Sequence, residues 1–397
     1  MAVCGVIAEY DPFHRGHLWQ LAEIRRRLGA DTAVVTVMSG SFVQRGEPAL
    51  CGKHARAEMA LRGGANLVLE LPSPWSCAPA EIFARGGVAL LAASGVVTHM
   101  AFGCESGDLA PLSQAAACLD SGIYGAGLRR FLDEGMTFAA ARQAVVGALA
   151  GDAAGVCLDR PNNNLAVEYL RSLSALKSGV RPLALPRMGA DHHSDGPGPY
   201  ASASAVRRRI LAGEAWRDLV PETTAAILDR ELAAGRAPAS LTLCGRAVLA
   251  RLRTMSEEDF RPYDGGGEGL YHRFYDGVRQ ARSVEELLAY VKTRRYPMAR
   301  LRRMLLHSYL GLLPAERDRT PPYLRVLGAD SRGRALLREM GDRAALPVLT
   351  KPADVRKLGE EARTLFAREA GWTDLYTLAC PDPARPGAEY THSPVML

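Results

Sequence analysis

No stretch of this 397-residue chain holds the roughly 20 consecutive apolar residues that a membrane-spanning helix requires, so no membrane association is expected. Cys-x-x-Cys pairs are also missing. The eight cysteines, at 4, 51, 77, 104, 118, 157, 244 and 380, stand singly. That leaves no motif for a zinc ribbon or a dithiol redox centre and fits reduced thiols in a cytosol. A basic leader followed by a cleavage site is lacking as well, so secretion is not expected and a cytoplasmic location is. No internal repeat or low-complexity tract interrupts the chain. What remains is an ordinary globular composition, 48% apolar and 23% charged, long enough for about two to three domains. The formal charge is +6, with arginines crowded in the C-terminal half. That asymmetry points to a polyanionic partner.

The first half alternates between two periodicities. Residues 2–8, 32–38, 66–71 and 97–102 are short, apolar, β-branched runs, and residues 181–185 are a fifth. Helical spacing lies between them, from about residue 17 and over 53–62, 81–93 and 165–176. This alternation predicts a parallel sheet with helices on both faces, a Rossmann-like α/β domain over residues 1–213. In such a sheet the ligand sits beyond the carboxyl ends of the strands. Those ends carry His14-Arg15-Gly16-His17, then Ser39-Gly40-Ser41-Phe42-Val43-Gln44-Arg45-Gly46-Glu47-Pro48, then Glu70-Leu71-Pro72 and Phe102-Gly103-Cys104-Glu105. Two imidazoles at a strand-to-helix turn can donate hydrogen bonds to a phosphate, and free N–H groups at the helix start favour an anion. The same turn would equally serve as a structural corner with two surface histidines.

Later segments offer further candidates. Asn162-Asn163-Asn164 precedes an amphipathic run, so one of them is expected to cap a helix; the alternative is an amide that recognises a nucleotide. Asp191-His192-His193-Ser194-Asp195 has metal-ligand residue types but no helix or strand to fix their geometry, so no metal site is assigned. Ser202-Ala203-Ser204-Ala205-Val206-Arg207 opens a helix, where Ser204 can meet a phosphate and Arg207 adds a fixed positive charge. From about residue 214 the strand signal disappears. Residues 221–232, 241–255, 268–281, 284–291 and 299–313 read as helices, predicting a mainly α-helical C-terminal domain over 214–397. Lys292, Arg294, Arg295, Arg300, Arg302 and Arg303, with Tyr296 among them, suit phosphate contacts plus base stacking, as in RNA binding. A solvated charged helix face would read the same way.

The turn and the 202–207 segment together resemble the HxGH nucleotidyltransferases. The fuller pattern is similar to one group within them, the tRNA(Met) cytidine acetate ligase family. It runs from Glu9-Tyr10-Asp11-Pro12-Phe13-His14-Arg15-Gly16-His17-Leu18 through Met38–Pro48, 66–72, Phe102-Gly103 and Arg160-Pro161-Asn162-Asn163. It continues through Lys292-Thr293-Arg294-Arg295-Tyr296 and Tyr323-Leu324-Arg325-Val326-Leu327-Gly328, covering nearly the whole chain. The resemblance implies an enzyme that forms acetyl-adenylate from acetate and ATP. It then acetylates N4 of the wobble cytidine, position 34, of elongator tRNA(Met), releasing AMP and diphosphate. ATP is implied as a substrate, with Mg²⁺ bridging its phosphates and no tightly bound cofactor; no protein partner is implied. His14 and His17 carry over as catalytic residues. The ATP site takes Ile7, Ala8, Glu9, Tyr10, Asp11, Pro12, Phe13, His14, Gly16, His17, Gln20, Gly103, Asn162, Arg187, Met188, Ser204 and Arg207. The basic cluster would bind the tRNA. Two departures stand out: Asp11 replaces the usual Asn, placing a carboxylate near a triphosphate, and across Ala203 to Arg207 small residues replace the usual Thr and Ile. An adenylyltransferase acting on a small cofactor precursor and a non-catalytic RNA-binding protein are the rival readings. The first is usually far shorter, and the second has no need of intact histidines.

Overall fold

The structure is a computed structural model that describes residues 2–105, 107–187, 201–265, 267 and 269–397. Its centre is a sheet whose strands are β1 (Val3–Ala8), β2 (Ala33–Ser39), β3 (Leu67–Leu71), β4 (His99–Cys104), β5 (Arg181–Pro186), β6 (Leu324–Ala329), β7 (Val348–Leu349) and β8 (Val395–Met396). Their spatial order is β8-β6-β3-β2-β1-β4-β5, with β7 beside β6. The 3-2-1-4-5 run is parallel throughout, as in a doubly wound sheet. Helices α1 (Arg15–Leu28), α2 (Lys53–Arg62), α3 (Ala80–Ala93) and α4 (Pro161–Ala175) cover it.

Alternation along each strand explains why the strands read as unbroken apolar runs. Val3, Val35, Val37, Leu67 and Leu69 enter one buried cluster, with Phe83 and Val88 of α3 and Tyr169 and Leu170 of α4. Cys4, Val6, Val34, Met38 and Val68 enter the other, with Leu21 and Ile24 of α1 and Ala57 and Leu61 of α2. Both faces are covered, so neither needs polar residues. No described helix is long and apolar enough to cross a membrane, and all eight cysteines are buried and none is in a disulfide.

The second half is largely helical, as the pattern predicts, with helices at Glu222–Ala233, Gly245–Arg253, Leu270–Gln280, Val284–Val291 and Met298–Leu310. One expectation fails there, because the strand signal does not end at residue 214. β6 pairs antiparallel with β3, Leu67 opposite Ala329, and β8 adds parallel to β6. The 213/214 division therefore marks a change in helix content within one continuous sheet. The charge on Arg325 hides β6 in the sequence. Inside the fold, Arg325 and Lys53 are both paired with Glu70 and Glu389, at 3.2 Å for Arg325–Glu70, 2.6 Å for Lys53–Glu70 and 2.8 Å for Lys53–Glu389. Four buried charges that neutralise one another tie the C-terminal segment to β3 and α2.

Candidate active site

The topological switch of this sheet lies between β1 and β4, whose following segments leave in opposite directions. That is where an open α/β sheet forms its ligand crevice. β1 ends in a turn in which buried Tyr10 adopts a positive φ of 46°. Its ring meets Phe13 and His17 edge-on at 4.9 and 4.8 Å, which offsets the backbone strain with packing.

His14 caps α1: its Nδ1 accepts the Gly16 N–H at 3.0 Å, while its own backbone N–H donates to His17 Nδ1 at 3.2 Å. The two rings stack with centroids 3.7 Å apart. Burial, with Arg187 nearby, pushes the His14 imidazolium down to about 3, and burial also drives that of His17 well below the usual histidine range. Both imidazoles are therefore neutral at pH 7. With both Nδ1 atoms accepting, each ring carries its proton on Nε2. The motif thus presents two neutral N–H donors at a helix start that has no acidic residue in its first turn. Gly16 makes the cap possible, because a Cβ there would lie 2.8 Å from His14 Cε1.

These groups line a cavity of about 190 Å³. Ile7 and Ala8 come from the end of β1, His14 from the cap of α1, Gly16, His17, Trp19 and Gln20 from α1, and Phe102 and Gly103 from β4. Asn162, Leu165 and Tyr169 come from α4, Leu185, Pro186 and Arg187 from β5 and its end, and Ala201 precedes α5 (Ala203–Ala212). Of the four strand ends expected to converge, those of β1 and β4 line this cavity; the segments after β2 and β3 do not, and the end of β5 takes their place. Ile7, Ala8, His14, Gly16, His17, Gln20, Gly103, Asn162 and Arg187 all meet there. Asn162, Asn163 and Asn164 are not the helix cap; Arg160 occupies that position and Pro161 the first turn. This frees the amide of Asn162, which donates to Glu105 Oε1 at 2.8 Å and accepts from Arg187 Nη1 at 2.6 Å.

Other expected residues lie behind the cavity wall. Asp11 accepts the Leu50 N–H at 2.5 Å and a bond from Arg207 Nη1 at 3.0 Å. Arg207 also bonds the Ala239 carbonyl at 3.0 Å and pairs with Glu47 at 3.5 Å. Thus neither its charge nor that of Asp11 is turned to the cavity. Glu9 accepts the Gln44 N–H at 2.6 Å, and burial lifts its carboxyl to about 6. Tyr10, Pro12 and Phe13 are buried. Ser202 caps α5, and the Ser204 hydroxyl accepts a bond from Arg45 instead. Met188 and the 191–195 segment lie outside the described residues.

The basic cluster divides. Arg300 bonds the Asp264 carbonyl at 3.0 Å, Arg302 pairs with Glu47 at 2.5 Å, and Arg303 donates to the Gln44 carbonyl at 3.2 Å. Lys292, Arg294 and Arg295 are exposed.

The sequence reading named Phe102 only as part of a strand end and missed Trp19, Leu165 and Tyr169, whose apolar character is indistinguishable from that of core residues. It also missed Arg56. That fully buried guanidinium donates to the carbonyls of Cys51 at 3.1 Å, Glu9 at 2.7 Å, Ser39 at 3.0 Å and Gly40, cross-linking the ends of β1 and β2. Nothing in a helical Lys53–Arg62 pattern marks it.

Comparison with known proteins is consistent along the chain. The family model described as HIGH Nucleotidyl Transferase matches residues 1–389. A tRNA(Met) cytidine acetate ligase of Syntrophomonas wolfei is 36% identical, with 100% of this chain and 99% of that protein aligned. The enzyme of the same name from Syntrophotalea carbinolica is 41% identical over 88% of this chain and 85% of its own. The crystal structure of Thermotoga maritima TmcAL bound with alpha-thio ATP superposes with a TM-score of 0.93 at 33% identity, covering 100% of both chains.

Proposed function

Because this chain belongs to the HIGH nucleotidyl transferase family and within it to the tRNA(Met) cytidine acetate ligases, we propose that it activates acetate with ATP and acetylates a cytidine of tRNA(Met). The target is N4 of the wobble cytidine of the elongator species. AMP and diphosphate are released. The observation that carries this reading is the pair of neutral, Nε2-protonated histidines in a cleft at the switch point.

The chemistry follows from that arrangement. An acetate oxygen attacks the α-phosphorus of ATP and diphosphate leaves, which gives acetyl-adenylate. Carboxylate and phosphate repel each other, so the site must stabilise charge on the transferring phosphoryl group. His14 and His17 supply N–H donors fixed in direction by their Nδ1 bonds, the start of α1 supplies its dipole, and Arg187 supplies a full charge. One such preorganised donor is worth roughly 3 kcal/mol of transition-state stabilisation. The cytidine amine then attacks the acetyl carbonyl, the C–O bond to AMP breaks, and the amine proton is lost. None of the buried thiols has to act as a nucleophile. Mg²⁺ bound with the nucleotide would add positive charge at the phosphates, a role that needs few protein ligands. The base is presented from a single-stranded anticodon loop, and the protein works in the cytoplasm with its tRNA.

A shorter enzyme acting on a small cofactor precursor would leave the helical half without a role. A non-catalytic protein would not need both histidines. Incubation with ATP, ¹⁴C-acetate and elongator tRNA(Met) is expected to label the tRNA. Label should fall to background in His14→Ala and His17→Ala. Folded wild-type protein that leaves the tRNA unlabelled would sink the proposal.

A further inference from the structure

We infer that Glu105 is a positioning residue for ATP: it fixes the orientation of the Asn162 amide and, through that amide, holds Arg187 at the nucleotide cleft. Glu105 stands just past the end of β4, facing the first turn of α4. Its Oε1 accepts from Asn162 Nδ2 at 2.8 Å, and its Oε2 accepts the backbone N–H of Asn163 at 3.0 Å. In return, the Glu105 N–H donates to Asn163 Oδ1 at 3.0 Å. One carboxylate thus satisfies a free N–H of the α4 start and one amide N–H, while its own backbone is held by the neighbouring asparagine.

The consequence lies in the chemistry of the amide. Asn162 has a donor end and an acceptor end of nearly equal size, and by itself either could face the cleft. A carboxylate accepts and cannot donate, so it takes the donor end. The oxygen is left for Arg187, whose Nη1 lies 2.6 Å away. A flipped amide would set its NH₂ against the guanidinium, donor against donor. Gly103 completes the seat: a Cβ there would lie 3.3 Å from Arg187 Cγ, so the arginine stem rests on the strand end. Arg187 is close enough to His14 and His17 to depress both imidazolium groups. The chain Glu105–Asn162–Arg187 therefore aims a positive charge at the site where those histidines face a phosphate. Glu105 does not line the cavity and acts only through its neighbours.

The inference rests on the ATP-site reading above, and a double-mutant cycle in the full chain separates the two. ATP affinity is measured by calorimetry, and KM for ATP and kcat by tRNA acetylation. Loss of a charged hydrogen-bond partner predicts that Glu105→Ala raises Kd and KM for ATP about tenfold, with kcat far less affected. Glu105→Gln keeps an acceptor for Asn162 and is expected to recover most of that loss. If Glu105 acts through Arg187, then in an Arg187→Ala background Glu105→Ala changes the ATP Kd by less than about twofold. The same tenfold loss in both backgrounds would overturn the inference. Should Glu105→Ala fail to fold, the cycle is run with Glu105→Leu, which keeps the bulk but offers Asn162 no acceptor and whose roughly tenfold effect must likewise fall below about twofold without Arg187. If Arg187→Ala and His17→Ala both leave ATP affinity unchanged, the ATP-site reading itself fails and this inference goes with it.

Discussion

At the scale of single residues, the telling case is Asp11. A carboxylate in the histidine turn looks like a liability for binding a triphosphate, and the sequence leaves its direction open. The fold resolves this by turning it to Leu50 and Arg207, away from the cavity. Asp11→Asn is therefore expected to leave KM for ATP within about twofold. It should cost about 2 kcal/mol of stability, because Arg207 keeps Glu47 but meets an amide N–H where it had a carboxylate. A urea titration alongside the ATP dependence checks both halves; a large fall in KM with unchanged stability would show that Asp11 does face the phosphates. Arg207 illustrates the limit of motif reading: the expected residue is present, and its partners decide where its charge points. Those partners, residues 11, 47 and 239, are too far apart in the chain for any local pattern to join them. Arg56 is a stronger instance, since four carbonyls brought together only by tertiary folding define its role.

At the scale of elements, periodicity and turn chemistry were legible where local interactions decide. The 53–62 helix and the alternating strands follow from side-chain spacing alone. The α4 start was misassigned because three asparagines in a row are good caps, yet Pro161 sits best in the first turn and moves the cap back to Arg160. The α1 start has an unusual cap in which a histidine replaces the customary Ser, Thr, Asp or Asn, and this gives it a pH dependence. His14 has an ordinary histidine value of about 6.5 when unfolded and about 3 when folded. Since the folded value is the lower one, protonation favours the unfolded chain. The stabilisation is present above pH 6.5 and is lost as pH falls toward 3. Between pH 7 and pH 5 the wild type should lose roughly 2 kcal/mol relative to His14→Asn, which keeps a capping side chain that does not titrate there. Parallel denaturant curves for both proteins at the two pH values test this; equal losses would mean that the imidazole is not buried neutral.

At the scale of the whole molecule, the sequence showed two halves, one α/β and one helical and basic, but not how they meet. β6 explains the gap: an arginine inside an apolar run reads as a break, and only Glu70 and Glu389, remote in sequence, make that charge tolerable in a sheet. The basic cluster shows the same dependence on distant partners. Arg302 and Arg303 join the second half to the loop carrying Gln44 and Glu47, so their charge serves the junction between halves. Lys292, whose ammonium bonds the carbonyls of Thr293 and Tyr296 at 2.8 Å each, Arg294 and Arg295 are exposed, and a tRNA surface is expected on that side of the cluster. Reversing Arg294 and Arg295 together to Glu should therefore weaken tRNA binding while KM for ATP stays within about twofold. If each arginine neutralises one phosphate, the slope of log affinity against log salt should become shallower by about 2. Arg302→Glu should act differently, lowering thermal stability by setting two carboxylates, at 47 and 302, against each other. Filter-binding titrations with tRNA(Met) across a salt series, beside melting curves, separate the two. If Arg302→Glu alone reproduced the loss of tRNA affinity at unchanged stability, the tRNA surface would lie at the junction of the halves, not on the exposed segment before α6 (Met298–Leu310).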